Sequence, residues 1–363
     1  MRVLVAAGGT AGHVMPALAV ARVLADAGDE VRFLGTDHGQ EARLVPDAGF
    51  PLATIDVRPF PRRPSRDLVA AAVAASRSVH ACRPHVTNAD VVLGMGGYVS
   101  VPAGIAASRL GRPLVVHEQN AVAGLANRFL ARRAAVVALG VEAARSSFPR
   151  RTPIRVVGTP LRRSVIDAAS RRAGDPVASR RDAAAALGFR ADLPIVVVVG
   201  GSLGALRLNE AAAGAFPMEG VQLLLLAGAS HADRLRERFE GRDDIRVEAF
   251  LDRMELAHAA ADLVVARAGA TTCAELAACG VPAILVPYPF ATADHQTGNA
   301  RTLVDVGAAE LIPDASLDAG LLRTTVARLL AEPRTLLAMG AAARAAGRPR
   351  AAEDLAALLR SVA

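Results

Sequence analysis

The sequence predicts an α/β chain of two doubly wound domains with parallel sheets and a cleft between them. Three observations lead to the two-domain architecture. Short apolar runs such as RVLVAA (2–7), EVRFLG (30–35) and PIVVVVG (194–200) alternate with longer alanine-rich stretches of helical spacing, the mark of repeated βαβ units. That pattern starts twice, because the glycine turns GGTAGH (Gly8–His13) and GGSLGA (Gly200–Ala205) each follow an apolar run. The 363 residues also exceed the roughly 250–300 at which a single core stops growing.

The elements follow in order. RVLVAA is the first strand, Pro16–Ala27 a helix ended by Gly28, and EVRFLG the second strand. VVLGMGGY (91–98) is a strand that runs into a glycine turn and then a helix to about Arg109. PLVVHEQN is a strand with a polar end, Gly124–Arg133 is helical, and AVVAL and IRVVGTPLR (154–162) are further strands. A polar stretch, about 170–181, separates the halves. PIVVVVGGSLGA then restarts the pattern, a helix covers Arg207–Ala215, and VQLLLLAG, IRVEAFL, ADLVVARAG and PAILVPYP follow as strands. Their continuous apolar character predicts sheets buried on both faces. Ligands of such sheets bind at the carboxyl ends of the strands, so the expected site lies there, facing a cleft shared by the two domains.

Composition excludes several chemistries. All 42 basic residues are arginine, since the sequence contains no lysine. A Walker A loop and a Schiff-base enzyme both need lysine. The net charge of +7 suits an anionic partner. Arginine is scattered and aromatics make up only 3%, which argues against nucleic acid. No apolar run reaches the roughly 18 residues of a membrane span, and the first run is too short for a signal peptide. A cytosolic or peripheral protein is expected. Cys82, Cys273 and Cys279 lack metal-ligand spacing and read as small buried residues.

GGTAGH is not the dinucleotide fingerprint, because Thr10 or Ala11 stands where G-x-G-x-x-G needs glycine. The second turn matches the nucleophile elbow G-x-S-x-G through Gly200, Ser202 and Gly204, with Asp252, His258 and His295 as triad partners. That hydrolase reading leaves the first half without a role. The other reading of Ser202 is a diphosphate cradle at a helix N-terminus. In RAGATTCAE (267–275), Glu275 sits about one turn into a helix that begins near Thr271. It either accepts a ribose diol or serves as the acid of a T-x-x-E capping box with Thr272. His295 and Gln296 follow the PYP turn, and Arg162 after GTPL is a candidate diphosphate clamp. D-x-D is absent, so charge on a leaving diphosphate would fall to N–H groups, helix dipoles and arginine.

The ordered set GGTAGH, GGYVSVP, HEQNAVAG, GTPLR, GGSLGA, RAGATTCAE and DHQTGNA spans Gly8 to Ala300. It resembles the MurG family of bacterial glycosyltransferases. The resemblance implies a GT-B fold with domains at about 1–161 and 162–341, and a C-terminal helix at about 342–363 that packs back on the first. It implies an inverting, metal-independent transfer of N-acetylglucosamine (GlcNAc), without cofactor, from UDP-GlcNAc to the N-acetylmuramic acid (MurNAc) 4-hydroxyl of lipid I, the undecaprenyl-diphosphate-linked precursor. Thr10, Ala11, Gly12, Tyr98, Asn120 and Arg162 match substrate-binding positions in the first half. Ser202, Leu251, Ala270, Thr271, Thr272, Glu275, His295 and Gln296 match them in the second. Glu275 would hold the ribose, and the Leu251 backbone the uracil. His13 is the candidate general base, since an imidazole titrates near about pH 6.5; Glu118 is the weaker alternative. Two departures stand out. Ala11 occupies a place where many relatives have glycine, and the apolar membrane patch is only loosely visible. The stretch 58–77, with Phe60, Leu68, Val69 and Val73 among arginines, suits either a helix on anionic lipid or an ordinary core helix. The implied location is the cytoplasmic side of the cell membrane, peripherally bound, with cell-wall synthesis proteins as further partners. A UDP-GlcNAc 2-epimerase of the same fold remains the other reading.

Overall fold

The computed structural model describes residues 1–57, 68–200 and 205–363, with backbone alone over 68–75. The chain divides into two compact units. One comprises Met1–Arg162 and Pro349–Ala363, the other Arg163–Arg348.

Among the described residues the first unit carries seven strands: β1 (Arg2–Ala6), β2 (Glu30–Gly35), β3 (Leu52–Thr54), β4 (Val91–Gly94), β5 (Leu114–Glu118), β6 (Val136–Leu139) and β7 (Ile154–Val156). They form one parallel sheet in the order β3-β2-β1-β4-β5-β6-β7. Both faces are buried: Val3 and Val5 belong to one apolar cluster, Leu4 and Ala6 to another. The two-residue side-chain period of a strand requires this of a continuous apolar run.

The described residues of the second unit form six: β8 (Ile195–Val199), β9 (Gln222–Leu226), β10 (Ile245–Glu248), β11 (Leu263–Ala266), β12 (Ala283–Leu285) and β13 (Ala309–Leu311). Their order is β10-β9-β8-β11-β12-β13, again all parallel. In each unit the strand order reverses beside the first strand, between β1 and β4 and between β8 and β11. Such switch points open a crevice at the carboxyl edge of the sheet. The first glycine turn of the sequence sits there, and Gly200, where the second begins, directly follows β8.

The structure departs from the sequence expectations at several points. The first helix is Ala11–Asp26, with Pro16 inside it. It starts five residues earlier than the proline suggested, because the Thr10 carbonyl accepts the Val14 N–H at 3.2 Å. The turn residues Ala11, Gly12 and His13 are therefore helical. The polar stretch near 170–181 is not a linker. It forms the helices Arg163–Gly174 and Pro176–Ala186, the second capped by Asp175, which accepts the Ala178 N–H at 2.9 Å. Its charges are spent on structure: Arg172 donates to the carbonyls of His258, Ala259 and Ala261, and Arg180 pairs with Asp262 at 2.7 Å. The segment returning to the first unit begins at Pro349. The helix Pro333–Ala346 stays in the second unit, while Ala351–Val362 packs Leu355, Ala356 and Leu359 beside Val14, Ala17 and Leu24. Arg360 pairs with Asp29 at 2.6 Å.

The three cysteines are buried and unpaired. Among the described residues, no helix is long and apolar enough to cross a membrane. Phe60 lies outside the described residues. So do the side chains of Leu68, Val69 and Val73, whose backbone belongs to the helix Leu68–Thr87.

Candidate active site

In the first unit three segments meet at the carboxyl ends of β1, β4 and β5. The β1 turn begins at Gly8. Its Gly9 has φ +90°, and Gly9 N–H donates to Glu41 Oε2 at 2.9 Å. Glu41 is fully buried at the start of the helix Glu41–Asp47 and also accepts from the Thr36 N–H (3.0 Å) and hydroxyl (2.7 Å). A Cβ on Gly8, Gly35 or Gly39 would come within 2.6 Å of its side chain. Three glycines thus make room for one carboxylate, and that carboxylate fixes the turn.

The β4 turn reaches the same place. Gly96 and Gly97 take φ +92° and +74°, a region open mainly to glycine. A Cβ at Gly97 would lie 2.9 Å from the Gly8 carbonyl, and one at Gly96 would lie 3.2 Å from the His13 ring. The His13 imidazole therefore lies against the Gly96–Gly97 backbone, in the third position of its helix. Its Nδ1 is 3.1 Å from the Thr10 hydroxyl. Ser100 lies within hydrogen-bond reach of the Gly96 and Ala6 carbonyls, at 2.7 and 3.0 Å. Tyr98 is half-buried beside Gly9.

The β5 end is organised by Glu118, which is 3% exposed. Oε1 accepts from the Asn120 backbone N–H (2.9 Å) and side-chain amide (3.2 Å). Oε2 accepts from Gly124 N–H (3.0 Å) and Asn127 Nδ2 (2.9 Å). Four donors meet on this one carboxylate and tie the loop together. His117 is fully buried and donates from Nε2 to the Gly158 carbonyl at 2.9 Å. Burial holds its pKa below the ordinary 6.5. Arg162, half-buried, ends the first segment of this unit.

In the second unit the helix Ala270–Cys279 starts directly after β11. Gly269 is its N-cap and makes no side-chain cap, so the first-turn N–H groups, from Ala270, Thr271 and Thr272, point out of the helix end with its partial positive charge. Thr272 is the third helical residue and Glu275 the sixth, so the capping-box reading fails. Glu275, 8% exposed, instead meets His258 Nε2 at 3.2 Å through Oε2. Arg267 locks the strand end: Nη1 donates to the carbonyls of Val286 (3.1 Å) and Pro287 (3.2 Å) and pairs with Asp314 at 2.6 Å.

The DHQTGNA segment is fastened to this loop, because Asn299 Nδ2 donates to the Ala268 carbonyl at 3.0 Å. Gln296 Oε1 accepts the Tyr288 N–H at 2.9 Å, and His295 Nδ1 donates to the Thr292 carbonyl at 2.8 Å. Ala293 and Asp294 enter this helix with φ +53° and +51°. Leu251 lies half-buried after β10. Ser202 lies outside the described residues, as do 201–204 generally.

Sequence alone does not single out Glu41, Ser100, Asn127 or Arg267, and it offers His258 only as a triad partner. Only burial could have signalled them, since each acts on a partner distant in sequence or on a backbone carbonyl. As a triad member His258 fails: it is 1% exposed and engaged by Glu275.

Two parallel, doubly wound sheets of this order define a ligand-binding α/β protein with its sites at the carboxyl edges of the strands. The glycosyltransferase family 28 N-terminal domain matches residues 3–139, and the family 28 C-terminal domain matches 195–355. The chain belongs to glycosyltransferase family 28. It is 45% identical over 368 residues to the UDP-N-acetylglucosamine–N-acetylmuramyl-(pentapeptide) pyrophosphoryl-undecaprenol N-acetylglucosamine transferase of a Nocardioides species, covering 98% of this chain and 96% of the relative. The Streptomyces coelicolor protein of the same name is 41% identical over 362 residues, with the same coverage. The crystal structure of Acinetobacter baumannii MurG superposes with a TM-score of 0.80 at 32% identity, covering 99% of each chain. The resemblance read from the seven motifs and the GT-B expectation are both met.

Proposed function

We propose that this enzyme transfers GlcNAc from UDP-GlcNAc to the MurNAc 4-hydroxyl of lipid I, giving lipid II and UDP for peptidoglycan synthesis. What carries the reading is identity above 40% over nearly the whole length of relatives that bear this one activity in their names. In the reaction, the 4-hydroxyl oxygen bonds to the anomeric carbon from the face opposite the diphosphate. The bond to UDP breaks, and the configuration inverts.

His13 takes the hydroxyl proton in this scheme. If Nδ1–H donates to the Thr10 hydroxyl, Nε2 keeps the lone pair a base requires. Glu118 holds the HEQN loop and Asn120 in place. On the donor side, the open N-terminus of the helix Ala270–Cys279 and the turn beginning at Gly200 suit a diphosphate. Glu275 takes the ribose hydroxyls, while Gln296, His295 and the Leu251 backbone complete donor recognition. Arg162 adds charge for the departing diphosphate.

The protein works peripherally on the cytoplasmic face of an anionic membrane. Support comes from the +7 charge and from exposed Leu125 (76%) and Phe129 (41%), with the Arg133 guanidinium 4.5 Å from the Phe129 ring centroid. Apolar and cationic groups side by side suit anionic lipid.

The test is UDP release measured with and without a lipid I analogue. Release that depends on the acceptor is expected. Conversion of UDP-GlcNAc to its 2-epimer without acceptor would replace the reading with an epimerase. Labelling of Ser202 by a fluorophosphonate would replace it with a hydrolase.

A further inference from the structure

Glu275 is held by a second buried side chain. His258, on the helix Met254–Ala260, is 1% exposed and places Nε2 3.2 Å from Glu275 Oε2. Its Nδ1 is also buried and has no hydrogen-bond partner among the described residues. The ring proton therefore belongs on Nε2, where the acceptor is.

The histidine is itself fixed. The helix that carries it ends at Ala260, and Arg172 donates to the carbonyls of His258 (3.3 Å), Ala259 (2.7 Å) and Ala261 (3.1 Å). The neighbouring Asp262 is bound by Arg180 and by the Ile195 N–H at 2.8 Å, which ties this corner to β8. The imidazole thus approaches the carboxylate from a rigid base.

We infer that His258 is a positioning residue for Glu275, setting the carboxylate plane in which the two vicinal hydroxyls of the donor ribose are received. A carboxylate offers about four lone-pair directions. The imidazole N–H occupies one and removes the rotation that would otherwise be frozen out on binding, a cost that preorganisation avoids. This inference rests on the reading of Glu275 as the ribose ligand.

The two are separated by titrating UDP and 2′,3′-dideoxy-UDP into the purified full chain by calorimetry. His258→Leu removes the donor at similar volume. His258→Gln keeps an amide N–H at the same bond count from Cα. We expect His258→Leu to weaken UDP about tenfold, the loss of one charge-assisted hydrogen bond. Binding of the dideoxy analogue should stay within about twofold. His258→Gln should recover most of the UDP affinity. With UDP-GlcNAc as substrate, the Leu variant should raise KM and leave kcat near wild type.

Equal weakening of both nucleotides in His258→Leu, or no change in either, overturns the inference. Should that variant fail to fold, His258→Met carries the same comparison. Glu275→Ala is the control for the underlying reading: if it still prefers UDP over the dideoxy analogue, Glu275 is not the ribose ligand. If Glu275→Ala loses the preference and His258→Leu keeps it, only the role of His258 falls.

Discussion

Glu41 Oε2 accepts the Gly9 N–H at 2.9 Å across 32 residues of sequence, and the same carboxylate takes two bonds from Thr36. The turn that presents Thr10 and His13 is therefore anchored from behind by a fully buried acid. Removing the side chain strands three donors in a space that glycines 8, 35 and 39 leave for it. Glu41→Ala should destabilise the protein by about 3 kcal/mol, as expected for breaking a buried hydrogen-bonded charge. A lowered thermal midpoint together with reduced transferase activity is the expected result. A midpoint within a degree of wild type would show that the turn stands without this acid.

The site was legible in sequence wherever a local pattern carried it. GGTAGH, GGYVSVP and HEQN each end a strand, and sequence alone placed them on one sheet edge. Glu41 left no such trace: QEARL reads as an ordinary helix start, and its role comes from a contact that only the folded sheet creates. The same holds for His258, whose partner lies 17 residues away on another helix. Near 170–181 arginine and aspartate look solvated in sequence, while in the fold Arg172 and Arg180 spend their charge on carbonyls and on Asp262. Strands β3 and β13, three residues each, are too short to show a period.

His117 gives the first unit a pH dependence. Its folded pKa lies below 6.5 because burial disfavours the charged ring, the pull of Glu118 notwithstanding. Above about pH 6.5 both folded and unfolded chains hold it neutral, and its contribution is fully present. As pH falls below that value the unfolded chain takes up a proton that the folded chain refuses. Stability then declines by at most about 1.4 kcal/mol per pH unit for this one group, until the folded value is reached. His117→Gln, which keeps a donor for the Gly158 carbonyl, should show a flatter dependence of thermal midpoint on pH between 5 and 7. An unchanged slope would assign the acid sensitivity elsewhere.

The cysteines should be chemically silent in the native state. Burial pushes the thiols of Cys82, Cys273 and Cys279 up to about 12. At pH 8 roughly one molecule in 10⁴ then carries a given thiolate, and the thiolate is the reactive form. An aromatic disulfide reagent should release almost no chromophore from the folded protein and three equivalents after unfolding in guanidinium. Rapid modification of one thiol in the native protein would reveal an opening that exposes it.

His13 and Glu118 should separate cleanly under mutation, because one faces the reaction in the proposed scheme and the other faces the backbone. His13 lies against the Gly96–Gly97 turn and bonds Thr10. Its loss leaves the four donors on Glu118 untouched. His13→Ala should lower kcat about 10²–10⁴-fold, the usual contribution of a general base, with little change in thermal midpoint or in donor KM. Glu118→Gln is nearly isosteric, yet it points an amide N–H at one of the donor pairs that now approach each oxygen. The HEQN loop then loses its anchor. A fall of several degrees in thermal midpoint should accompany any loss of activity, and Glu118→Asp should not restore it, since the shorter side chain cannot span Asn120 and Gly124 together. Wild-type kcat in His13→Ala would remove the histidine from proton transfer. Full stability with abolished turnover in Glu118→Gln would return the carboxylate to candidacy as the base.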